Sequence, residues 1–75
     1  MDALANRYRI DYRAEGASPR TVGRYLSEQG AQVALRIYAR ELRVAGRRGR
    51  VVLVDLTGLP EQVVGVRDLQ FGQTG

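Results

Sequence analysis

The chain has no cysteine, no histidine and no lysine; all twelve of its basic residues are arginine. Without histidine or cysteine there is no ordinary general base at neutral pH, no thiolate nucleophile and no soft metal site. Without lysine there is no Schiff base and no Walker-type phosphate lysine. The eight carboxylates are scattered, with no pair spaced for acid/base work. Most enzyme chemistry is thereby removed, and the expectation is a non-enzymatic protein with no cofactor and no metal. The missing cysteines also mean no disulfide staple. The opening Met1-Asp2-Ala3-Leu4 lacks a basic leader and an apolar h-region, so no signal peptide is expected. No apolar run approaches the roughly 18 residues needed to span a bilayer. A cytoplasmic protein without a membrane partner is the expectation.

What is present is globular in composition. Seventy-five residues, 44% hydrophobic and 27% charged, fit a single small domain over 1–75 with short flexible tails at about 1–5 and 72–75. The net charge is +4 and the sequence pI near 10.3, which favours acidic partners: an acidic protein surface or nucleic acid. A GC-rich genome would replace lysine with arginine everywhere, so the number of arginines says little. Their positions carry the argument.

Residues 7–14 alternate Tyr8, Ile10, Tyr12 and Ala14 with Arg7, Arg9, Asp11 and Arg13, the period of a half-buried strand. A helix through Leu4, Tyr8 and Tyr12 is the alternative, but it would leave Ile10 on another side. Glu15 to Pro19 is a turn by composition, and Arg20 to Leu26 can return as a second strand. Ser27 can cap a helix starting at Glu28. Within that helix Ala31, Ala34, Leu35, Tyr38, Leu42 and Ala45 share about a third of the wheel. Gly46 stands where a glycine ends a helix. Arg50 to Leu56 is a strongly apolar strand, and Val63 to Phe71 reads as the last one. Its inward side, Val64 and Val66, gives way to Leu69 and Phe71, which predicts a bulge near Arg67-Asp68. The expected fold is α+β, in the order ββαββ: a small antiparallel sheet with one helix packed on one face. A winged helix is the alternative.

Two features bear on function. Arg36, Arg40, Arg43 and Arg47 are spaced i, i+4, i+7, i+11 and form one ridge, continued by Arg48 and Arg50. Guanidinium forks match phosphate or carboxylate pairs, although a solvated helix face would look the same. Beside the ridge run Val33, Ile37 and Val44. The strand 50–56 is apolar on both faces, and one helix covers only one face, so uncovered apolar surface is expected next to the basic ridge. Ile37 and Val44 therefore join the arginines as candidate partner-binding residues. Ser18, Arg20 and Thr21 form a possible phosphate-binding turn. Tyr8, Tyr12 and Tyr25 could stack on bases, or belong to the core.

Three resemblances attach to these residues. Gly16-Ala17-Ser18-Pro19-Arg20-Thr21-Val22, followed by Tyr25-Leu26, resembles a segment of the core-binding domain of tyrosine recombinases. With no histidine and no catalytic domain, recombinase activity does not carry over. Leu42, Ala45 and Gly46 running into Arg50 to Val54 resemble a recognition helix entering the wing of a winged-helix regulator. That likeness would put Arg36, Arg40 and Arg43 in a major groove. Gln29 and Arg36 depart from its pattern of buried positions. In size, basic composition and element order the chain is also similar to small phage-encoded proteins that bind host RNA polymerase. The resulting expectation is a small regulatory protein that binds an acidic partner, a component of the transcription machinery such as RNA polymerase, and modulates transcription. Direct DNA or RNA binding is the alternative, and a homodimer is possible.

Overall fold

A computed structural model describes residues 7–69 of the chain. Two antiparallel hairpins are joined by one helix, in the order β1 (Tyr8–Arg13), β2 (Arg20–Tyr25), α1 (Glu28–Val44), β3 (Arg50–Asp55) and β4 (Gln62–Asp68). The sheet runs β2-β1-β3-β4, so the two hairpins meet along the antiparallel β1–β3 pair. The ββαββ order and the helix on one face are as the sequence predicts. The winged-helix alternative fails, because residues 8–25 form a hairpin and α1 is the only helix among the described residues. The Gly16–Leu26 segment that resembles a recombinase is a turn followed by β2.

Local chemistry explains both helix ends. Ser27 Oγ accepts the Gly30 N–H at 3.1 Å, with Glu28 in the first turn. At the other end Arg47 N–H reaches Leu42 O and Gly46 N–H reaches Arg43 O, both at 2.9 Å, a Schellman closure. That closure needs a left-handed residue, and Gly46 supplies φ +77°.

The core lies between α1 and one sheet face: Ile10, Ala31, Leu35, Ala39, Val51, Leu53 and Leu69 are buried together, with Tyr8, Tyr12, Val22, Tyr25, Tyr38 and Leu42 packed against them. Tyr8, Tyr12 and Tyr25 are thus core-facing rather than a stacking platform. The buried arc of the helix also runs further round than the expected stripe. Ala39 is buried, whereas Ala45, already past the last turn, is exposed.

In β4 Val64 and Val66 do not face inward as expected, while Leu69 just beyond it is buried in the core, as the sequence predicts. Gly65 lies across from Leu53 and faces the helix, while Val66 pairs with Val52 on the other face. The helix sits close there: a Cβ on Gly65 would stand 3.0 Å from Leu35 Cδ2, so a larger inward side chain would crowd Leu35. The bulge is not at Arg67-Asp68 either. Register shifts at Val64, between Val63 and Gly65, which leaves Gln62, Val63, Val64 and Val66 all exposed. A second irregularity, at Val22 in β2, lets that residue turn inward. Phe71, the expected strand end, and the tails at 1–5 and 72–75 lie outside the described residues.

Candidate functional site

The helix buries Ala31, Leu35 and Ala39, so at 100° per residue its opposite side must face solvent. That side carries Val33, Ile37 and Val44, and Ile37 is 50% and Val44 83% exposed. Beside them run Arg36, Arg40 and Arg43, also exposed. Arg36, Ile37 and Arg40 line one shallow depression, so the cationic and apolar rows meet in a common surface.

The two flanks of the helix differ. On one, Tyr38 Oη donates to Val22 O of β2 at 2.7 Å. On the other, Arg43 Nη2 donates to Asp68 O of β4 at 2.8 Å, and Gln32 Oε1 lies 3.7 Å from where a Gly65 Cβ would be. The arginine row therefore stands above the β4 side of the sheet. The Tyr38 flank is closed: Tyr25 packs beside Tyr38, and burial first, then the Tyr38 hydroxyl, pushes its phenol up to about 12.

The expected six-arginine ridge is not one edge. The Schellman turn removes Arg47 from the helical row, and Arg47 lines a recess of about 310 Å³ with Tyr12, Ser18, Arg20, Val22 and Leu42. Arg48 is exposed in the following turn, where its carbonyl accepts the Tyr12 hydroxyl at 2.8 Å. Arg50 alternates with the core residue Val51 and so projects from the opposite sheet face, its Nε 3.9 Å from Asp68 Oδ1. The helix itself keeps Arg36, Arg40 and Arg43.

The candidate phosphate turn is also divided. Ser18 and Arg20 line the recess beside Arg47, but Thr21 Oγ1 donates to Asp11 Oδ1 at 3.0 Å on the other face. Asp11 is buried and takes Arg9 Nε as well, at 3.0 and 3.1 Å; Arg9 Nη2 extends to Glu61 Oε1 at 3.3 Å. Sequence reading missed this cluster, although the alternation of residues 7–14 already put Arg9 and Asp11 on one face, two residues apart. The cluster lies in register with Val52 and Val54, which are only 1% and 4% exposed. The second face of β3 is therefore not the uncovered surface that was expected. The exposed apolar surface is instead on the outer side of α1 and along β4.

Among the described residues, arginine ion pairs are confined to Arg9 and Arg50, and none involves Arg36, Arg40 or Arg43. Asp55 is held below the usual carboxylate range by the Thr57 hydroxyl and then its backbone N–H, a turn contact far from the row. No cluster of three or more His, Cys, Asp or Glu able to hold a metal occurs among the described residues, and none of their helices is long and apolar enough to cross a membrane. No protein-family model, curated protein or solved structure matches this chain.

Proposed function

We propose that the protein is a non-enzymatic regulatory module that docks an acidic protein surface on the outer face of α1. One observation carries this reading: Arg36, Arg40 and Arg43 stand exposed, with no salt bridge among the described residues, beside exposed Val33, Ile37 and Val44 on a single helix face. Guanidinium groups take carboxylates bidentately, and the neighbouring aliphatic side chains supply apolar area to bury. A surface built only for phosphate would not need three exposed aliphatic residues among its cations. A component of the transcription machinery, RNA polymerase first, is the partner class that the likeness to small phage-encoded regulators implies. A cytoplasmic location goes with it.

The test is capture from lysate on the immobilised protein, with and without nuclease, followed by a salt titration of the captured complex. Capture should survive nuclease and be lost with Arg36→Glu plus Arg40→Glu, a double variant whose folding circular dichroism should show unchanged. Ile37→Ala should weaken it as well. Nuclease-sensitive capture, with affinity falling log-linearly by roughly one power of salt per phosphate contact, would instead identify a nucleic-acid binder. Normal capture by the folded double variant would remove the arginine row from the account.

A further inference from the structure

The arginine row stands over one particular edge of the sheet, and that edge has an unusual occupancy. Leu69 N–H donates to Gly49 O, which fixes the bonding parity of the β3–β4 ladder. Antiparallel pairs repeat every second residue, so Gly65 and Arg67 bond inward to β3, and Val66 and Asp68 turn their N–H and C=O groups outward. Both outward carbonyls are met by guanidinium groups. Arg67 Nη1 donates to Val66 O at 3.1 Å, and Arg43 Nη2 donates to Asp68 O at 2.8 Å. Two arginines thus occupy the places where a neighbouring strand would put its N–H donors.

The two outer strands differ in what they offer. β2 carries Arg20 and Arg24 among its six residues, and charged side chains are a usual way to keep an edge unpaired. β4 from Gln62 to Val66 has no charge and three exposed valines. On its helix side lie Gly65, Arg67 and the Arg36–Arg43 flank of α1. On its other side is Val66, next to Val52.

We infer that β4 receives an extended acidic peptide segment as a fifth strand, with acidic side chains toward α1 and apolar ones toward Val66. The inference rests on the acidic-partner reading and names the part of the partner that binds. Backbone N–H groups of the added strand take over Val66 O and Asp68 O. The released guanidinium groups of Arg67 and Arg43 turn to the incoming carboxylates, joined by Arg36. Strand addition of this kind draws affinity from main-chain bonds and selectivity from alternate side chains. Charge excludes a second copy as the better occupant. Related by a two-fold axis through β4, it would bring its own Arg67 and arginine row against this one.

The probe is a short capped peptide alternating valine and glutamate, followed by fluorescence anisotropy and by amide hydrogen exchange on the unmodified protein. Saturable binding is expected, with slowed exchange at Val66 and Asp68. Valine–lysine peptide should bind at least about tenfold more weakly, a difference of ~1.4 kcal/mol. Val66→Pro removes an outward N–H that bonds nothing in β3 and should weaken binding by a similar factor, and Val66→Ala, which keeps that N–H, separates the main-chain loss from loss of the side chain; the exchange measurement needs no variant. Binding that ignores Val66→Pro but vanishes in Arg36→Glu plus Arg40→Glu overturns strand addition and leaves the acidic-partner reading standing. So does failure of the peptide to bind while ridge-dependent capture persists. Failure of both sinks both. Self-association abolished by Val66→Pro would make a second copy the occupant and overturn the inference.

Discussion

Replacing Gly49 with alanine should unfold this domain or come close to it, and replacing Gly16 should not. Both glycines have positive φ, +119° and +75°. Around Gly16 nothing lies within 4 Å of an added Cβ. At Gly49 that atom would stand 2.2 Å from Arg13 O and 2.9 Å from Ala14 Cα, both on the backbone. Neither can swing aside as a side-chain tip would, so relief requires moving β1 from β3, the pair that joins the two hairpins. Left-handed strain alone costs an alanine about 1–2 kcal/mol. Gly49→Ala adds a displacement of the central ladder to a strain of about 1–3 kcal/mol, and we expect a loss of at least ~3 kcal/mol. A domain of this size has roughly 4–11 kcal/mol in total, and a small core tends to the low end. At about 4–8 °C per kcal/mol, Gly16→Ala should lower Tm by roughly 4–16 °C and Gly49→Ala by ~12 °C or more. Urea titration followed by circular dichroism measures both. A Gly49→Ala variant no less stable than Gly16→Ala would refute the close β1–β3 approach and the hairpin junction derived from it.

Gly65→Ala should cost about 1–2 kcal/mol by overpacking Leu35, and Leu35→Val should relieve part of it, so that the double variant loses less than the sum of the singles in denaturant melts. Strict additivity would show that the helix does not press on β4 there. Tyr25 supplies a pH prediction. Its phenol is raised from 10 to about 12 in the fold, so the folded state holds that proton more tightly. The contribution is constant below pH 10 and is lost as pH rises from 10 toward 12. Ultraviolet titration should show a phenol ionising near 12 that disappears in Tyr25→Phe, and that variant should flatten the alkaline loss of stability; a titration curve that Tyr25→Phe leaves unchanged near 12 would contradict the packing of Tyr25 beside Tyr38.

The elements were legible where a period and an end signal coincided. Ser27 and Gly46 mark the helix within a residue, because a hydroxyl cap and a left-handed closure are local chemistry. The alternation of Tyr8, Ile10 and Tyr12 is equally local. β4 was misread because valines suggest an inward face, and only the proximity of Leu35, thirty positions away in the chain, shows that the inward residue must be Gly65. The same holds for the arginines. Their helical spacing placed Arg36, Arg40 and Arg43 correctly on one side, but Arg47 and Arg50 leave that side through a turn and a strand parity that the wheel does not contain. Ser18, Arg20 and Thr21 look like one site along the chain, yet the pleat sends Thr21 to Asp11 and Arg20 to the other face.

The asymmetry between the two sheet edges follows from how the helix is seated. Gly65 has no side chain, so α1 can lie low over β4, and the buried arc extends round to Ala39. That rotation lifts Arg36, Arg40 and Arg43 above the β4 edge and presses Tyr38 against β2, where its hydroxyl and Tyr25 close the gap. The edge that bears its own charges thus receives the aromatic seal. The apolar edge receives cations from the helix, which meet its outward carbonyls. A helix rolled the other way would bury the same Leu35 but put the arginines over Arg20, the β2 cation on the helix side, where they would repel. Seating, charge and edge composition agree in one direction only, and β4 is where they leave an acidic strand room to add.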